Sequence, residues 1–123
     1  MLKNLIIIAV IFLALDAIYL FSFKDITLPI IYRIQKTELK TRIESLIGCY
    51  ILLIFGLYYF IIRKRAEPLD AFLLGFVIYG VYETTNYAIL KDWSPLLVVM
   101  DSIWGGLLFM LTTIIYRNVK TMF

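Results

Sequence analysis

The sequence contains no histidine and a single cysteine, Cys49. Zinc and haem sites that depend on His or on clustered Cys are therefore excluded by composition. A lone thiol cannot build an intramolecular disulfide framework, and inside an apolar run it reads as a small buried hydrophobe. Charge is also scarce. Of the 123 residues, 17% are charged and 63% hydrophobic, and the mean hydropathy is +0.91. A water-soluble domain of this length must cover its surface with charge, and too little is present. Equally missing is a basic helix interleaved with aromatics and long enough to track a phosphate backbone. The net charge of +3 sits on Lys and Arg at the ends of apolar blocks, as membrane flanks do, and implies no nucleic-acid partner.

What the chain has in quantity is long apolar runs. Four blocks, about 4–22, 46–62, 71–90 and 96–116, approach the roughly 20 residues of helix that cross a ~30 Å hydrocarbon core. They use most of the chain, so the sequence predicts a single membrane domain over 1–123 with no soluble catalytic domain. Lys3 ahead of the first block resembles a signal peptide. The apolar core is too long for one, and cutting after Ala17 puts Leu15 at −3, so the block reads as a retained helix.

The segment over 23–45 differs. Lys24, Asp25, Arg33, Lys36, Glu38, Lys40, Arg42 and Glu44 alternate there with Ile26, Ile30, Ile31, Ile34, Leu39 and Ile43. That mixture suits an interfacial amphipathic helix starting near Pro29, where proline is tolerated in the first turn. It reads as a gate or headgroup contact, or as a plain connector on the membrane surface. The fold class expected is all-α: an integral membrane bundle of four transmembrane helices with an interfacial helix between spans 1 and 2. Four helices make a thin wall around any pathway, which favours a homo-oligomer. Basic residues divide six against six between the two ends. The compact Arg63–Arg65 cluster decides the orientation and predicts both termini cytoplasmic, in the inner membrane if the source is bacterial.

Asp16, Glu83 and Asp101 each fall inside an expected span. A carboxylate at membrane depth costs several kcal/mol unless it is protonated, paired or solvated. Asp16 and Glu83 each lie twelve residues into their blocks, about 18 Å deep at ~1.5 Å per residue. Asp101 enters from the other side and lies roughly 22 Å from that same face. The three acids thus share about one layer, displaced away from the termini. Helical spacing adds neighbours: Tyr79, Glu83 and Asn86 on one face, Asp101 with Trp104 or Gly105 and Leu108 on another, and Phe12, Asp16 and Tyr19 on a third. Gly75, Gly80, Gly105 and Gly106 let backbones approach near the same layer. Trp93 reads as an interfacial anchor. Trp104 lies deeper, and Asp101 is within reach of its indole N–H.

No Lys, Arg or His lies inside any span, so the acids have no buried counter-charge. Protons, hydroxyls, water or a cationic ligand must meet their needs. Carboxylates crowded in one low-dielectric layer cannot all stay ionised. A proton-coupled site fits, as does a cation or amine site lined by aromatic faces. A purely structural alternative is a set of neutral carboxylic acids hydrogen-bonded between helices as packing glue.

Residues 79–106 read YGVYETTNYAILKDWSPLLVVMDSIWGG. With Leu15-Asp16, this block resembles a largely bacterial family of small predicted membrane proteins catalogued only as a domain of unknown function. The family pattern has an early Leu-Asp, a Tyr-x-x-Tyr-acid-x-Thr-Asn block, a Trp after a Lys, and Asp-x-x-Trp-Gly. Here these elements are Asp16, Tyr79, Tyr82, Glu83, Thr85, Asn86, Lys91, Trp93, Asp101, Trp104 and Gly105. Glu83 departs from the aspartate of the pattern. The Trp that follows the early Leu-Asp is missing, and Tyr19 stands near its place. The resemblance implies a four-helix membrane protein and those residues as its site, and supplies no activity.

Two functional readings follow. The first is a membrane transporter or channel-like protein whose acidic site binds a proton, a cation or a small cationic molecule. Asp16, Glu83, Asn86, Asp101, Trp104, Tyr79 and Tyr19 are its expected site residues, with no resident metal or cofactor. The second is a lipid-binding or lipid-modifying membrane enzyme, or a subunit of one, in which paired acids act on a lipid drawn from the bilayer. A divalent ion held by the three acids would serve that chemistry.

Overall fold

The computed structural model describes residues 2–26, 29, 43–90 and 93–121. Among these the chain forms helices and no strand. Helix α1 spans Leu2–Ser22, and α2 spans Ile43–Leu57 and runs on through a π-helical turn over Tyr58–Ile62. Helix α3 spans Pro68–Ile89 and α4 spans Pro95–Lys120. The interfacial helix expected over 23–45 falls largely outside the described residues.

Local chemistry sets the helix ends. Pro68 and Pro95 open α3 and α4, where the missing N–H is one the helix would leave unpaired in any case. Asp70 Oδ2 accepts from the Glu67 backbone N–H at 3.2 Å, and Ser94 Oγ accepts from Leu96 N–H at 3.1 Å. Ser94→Ala should therefore destabilise the protein by about 1 kcal/mol. A lowered midpoint of thermal unfolding in detergent would register it. At the other end of the α2–α3 link, Arg65 adopts φ 54, a left-handed conformation usually left to glycine.

Helices α1, α2 with its π-helical turn, and α4 are long and apolar enough to cross a membrane. Helix α3 is not among them, although its 22 residues extend about 33 Å. Its last two turns carry Glu83, Thr84, Thr85 and Asn86, which dilute its hydropathy. The outward faces agree with a lipid surround: Leu52, Val10, Phe21 and Ile89 are all more than half exposed.

Helices α1 and α3 each hide a narrow stripe. On α1 the buried residues are Ile8, Phe12 and Asp16, one every four residues. On α3 they are Ala71, Gly75 and Glu83, with Tyr79 half-buried between the last two. On both helices the stripe starts apolar and ends in an acid. Helices α3 and α4 form the closest pair, and α1 packs against α4 and, less extensively, against α2. The apolar core is built from Ile8, Phe12, Leu57, Ile61, Ala71, Leu108, Phe109 and Tyr116. Edge-on contacts of Phe12 with Tyr50 and with Phe109, at 6.2 and 5.6 Å between centroids, floor the acidic layer above it.

Candidate functional site

Asp16 is only 6% exposed and is held from two other helices. The Tyr50 hydroxyl of α2 donates to its Oδ2. The Trp104 indole of α4 donates to its Oδ1 at 3.1 Å. Trp104 had an alternative acceptor one turn back in Asp101, the partner expected from helical spacing. The fold instead turns the indole across to α1. Spacing along one helix identifies neighbours on that helix and says nothing about a facing one.

Asp101 is bound by Tyr19, whose hydroxyl donates to Oδ1 at 2.6 Å. The Tyr19 ring lies flat on the Trp104 ring, with centroids 4.6 Å apart and planes within 6° of parallel. This stack links the donor to Asp16 with the donor to Asp101. Tyr19 lies within electrostatic range of all three carboxyls. It occupies the hub of the cluster.

Glu83, 2% exposed, interacts directly with the Asp101 carboxyl. Its Oε2 accepts from the Trp93 indole N–H at 2.8 Å. Trp93 thus caps the cluster from the α3–α4 link, in addition to any anchoring role at the interface. The result is a connected series: Tyr50, Asp16, Trp104, Tyr19, Asp101, Glu83 and Trp93. It is joined by hydrogen bonds, one ring stack and one carboxyl–carboxyl contact.

The remaining expected site residues stand differently. The Tyr79 ring packs against the Gly105 backbone and edge-on to Phe109, at 6.5 Å between centroids. Its hydroxyl is not hydrogen-bonded to any of the three acids. Asn86 is half-buried one turn beyond Glu83, and it too forms no hydrogen bond with them. Tyr50, which the sequence gives no reason to place in the site, and Trp93, which only the family resemblance brings to it, make direct contacts with its acids.

Among the described residues, no group of three or more Asp, Glu or Cys is spaced to hold a metal ion. An open groove of about 500 Å³ lies elsewhere, between the outer faces of α3 and α4, lined by residues such as Phe76, Val77, Val98 and Val99. The acids do not line it.

A family model matches residues 1–116, nearly the whole chain. The chain belongs to the predicted membrane protein family DUF2177. Neither a curated protein nor a solved structure matches it. Membership in DUF2177 agrees with the apolar helices in making this a membrane protein, and brings no reaction with it.

Proposed function

We propose that the chain is a four-span transporter or channel-like protein whose acidic layer binds protons within the membrane. In this reading α3 crosses the bilayer with the other three helices, with its one charged intramembrane residue, Glu83, buried rather than turned to lipid. Both termini face the cytoplasm. One observation carries the reading: carboxyls from three helices meet in one connected set whose hydrogen-bond donors are two tyrosines and two tryptophans, with no base among them. A buried acid without a base is stable as a carboxylic acid or as a member of a proton-sharing pair. Glu83 and Asp101 suit such a pair. Asp16 is a second station.

Protons fit better than a larger cation. Asp16 and Asp101 each accept from one ring of the Tyr19–Trp104 stack, so an organic amine would have to displace those donors to bind both acids. An indole N–H donates but cannot accept, so Trp104 cannot pass a proton along. Exchange between the stations then requires Tyr19 to swing, and the stack acts as an occluding element.

The test is reconstitution into liposomes with an internal pH-sensitive dye. An imposed pH gradient should drive proton flux through the wild type. Asp16→Asn, Glu83→Gln and Asp101→Asn should each reduce it at least tenfold, with helicity and elution volume unchanged. Flux that persists in all three variants would falsify the proposal. The lipid-enzyme alternative is favoured by a different observation, the open apolar groove between α3 and α4, which is wide enough for an acyl chain. The three acids do not line that groove, so the reading has no carboxyl beside its substrate.

A further inference from the structure

The end of the bundle opposite the acids concentrates positive charge. Arg63, Lys64 and Arg65 follow the π-helical turn of α2, and all three are exposed. Arg117 from the last turn of α4 donates from Nη2 to the Ala66 carbonyl at 2.6 Å. That bond fixes the basic end of α4 against the basic turn. Of the acids close by, Asp70 is committed to the Glu67 N–H. Among the described residues, none of Arg63, Lys64 and Arg65 has a carboxylate partner.

These cations stand directly over apolar surface. The Arg63 guanidinium lies 4.1 Å from the centroid of the Tyr59 ring, and the Lys64 ammonium 5.5 Å from those of Tyr59 and Phe60. Phe60 is 52% exposed, and Phe55, stacked on the same Tyr59 ring with centroids 5.7 Å apart, is 53% exposed. Cation and acyl-sized apolar face are therefore continuous along one side of α2. A soluble anion would use only the first of these. Arg65 adds a second observation. A left-handed backbone position is cheapest for glycine, yet an arginine occupies it, so a cation is kept there against backbone strain.

We infer that this end of the bundle binds an anionic diacyl phospholipid. Its phosphate sits between the Arg63–Arg65 turn and the end of α4, and an acyl chain lies along Phe60 and Phe55. Charge complementarity holds the headgroup, and apolar burial holds the chain. The inference does not rest on the acidic layer.

Purified protein in neutral detergent, titrated with phosphatidylglycerol or phosphatidylcholine, tests it by thermal shift and native mass spectrometry. Phosphatidylglycerol should raise the unfolding temperature and remain bound, while phosphatidylcholine should do neither. The double variant Arg63→Gln/Lys64→Gln should bind phosphatidylglycerol about 30-fold more weakly. Arg65→Gly, which the left-handed backbone accepts without strain, should weaken binding about fivefold and stay folded even if the double variant does not. Lys24→Gln, at the opposite end over the Phe21 ring, should change nothing. Equal shifts with both lipids, undiminished affinity in Arg65→Gly, or an equal loss in Lys24→Gln would each overturn the inference.

Discussion

Asp16→Ala is expected to unfold the protein or to cost about 2–6 kcal/mol, whereas Asp16→Asn should leave it folded and without proton flux. The difference lies in the donors around the carboxyl. Alanine leaves the Tyr50 hydroxyl and the Trp104 indole N–H without acceptors in a part-buried site. Each unsatisfied donor costs about 1–3 kcal/mol, which gives the range stated. Asparagine keeps a carbonyl oxygen for the indole, and its amide can donate to the Tyr50 oxygen once that hydroxyl rotates. What it loses is the stronger charge-assisted character of the bonds when the acid is ionised, and the capacity to take up and release a proton. Thermal unfolding in detergent reads the first effect, and the liposome assay reads the second. Packing glue and a proton site then separate cleanly. Glue predicts that the folded Asn variant transports like the wild type, and that result would remove Asp16 from the site.

Much of the helical architecture was legible because its determinants are local. Apolar runs bounded by Arg63–Arg65, Pro68 and Pro95 announce their own ends, and those residues sit at the observed helix termini. The placement of Asp16, Glu83 and Asp101 near a common depth follows from counting residues at a fixed rise. The partners were less legible, for a physical reason. Tyr50 is 34 residues from Asp16, in a block with no ionisable group, and nothing in its own sequence marks the face it turns to α1. Trp93 follows Lys91-Asp92 and precedes a proline, a setting that reads equally well as an interfacial anchor. Only the turn back from α3 to α4 brings its N–H over Glu83. Spacing along its own helix points Trp104 to Asp101, and interhelical packing takes it to Asp16. Periodicity reports which residues share a face; the register between facing helices decides which of them touch.

Gly75→Ala should lower stability by about 1–3 kcal/mol and disable the acidic site from a distance, while the same substitution at Gly48 or Gly56 should be neutral or stabilising by up to about 1 kcal/mol. A Cβ at position 75 would stand 2.2 Å from the Gly105 carbonyl oxygen and 2.8 Å from its carbon. Both are backbone atoms of α4, so no side chain can swing aside and α4 itself must move away from α3. Gly105→Ala meets an equally stiff obstacle, the root of the Tyr79 side chain, with Cγ at 2.2 Å and Cβ at 2.6 Å. Gly48 and Gly56 lie on α2 with nothing within 4 Å, so there the methyl group brings only its helix propensity. Gly80 faces Ser102 Oγ at 3.7 Å, an ordinary contact, and should tolerate alanine as well. The coupling to the site follows from geometry. Glu83 is two turns beyond Gly75 on α3, and Asp101 is one turn before Gly105 on α4. Separating the helices at the glycines draws apart the Glu83 and Asp101 carboxyls. Gly75→Ala should therefore lose flux with all three acids intact, and its unfolding temperature in detergent should fall below that of Gly48→Ala. An unfolding temperature equal to wild type would mean that α3 and α4 are not in backbone contact, and the alignment of Glu83 with Asp101 would lose its physical basis.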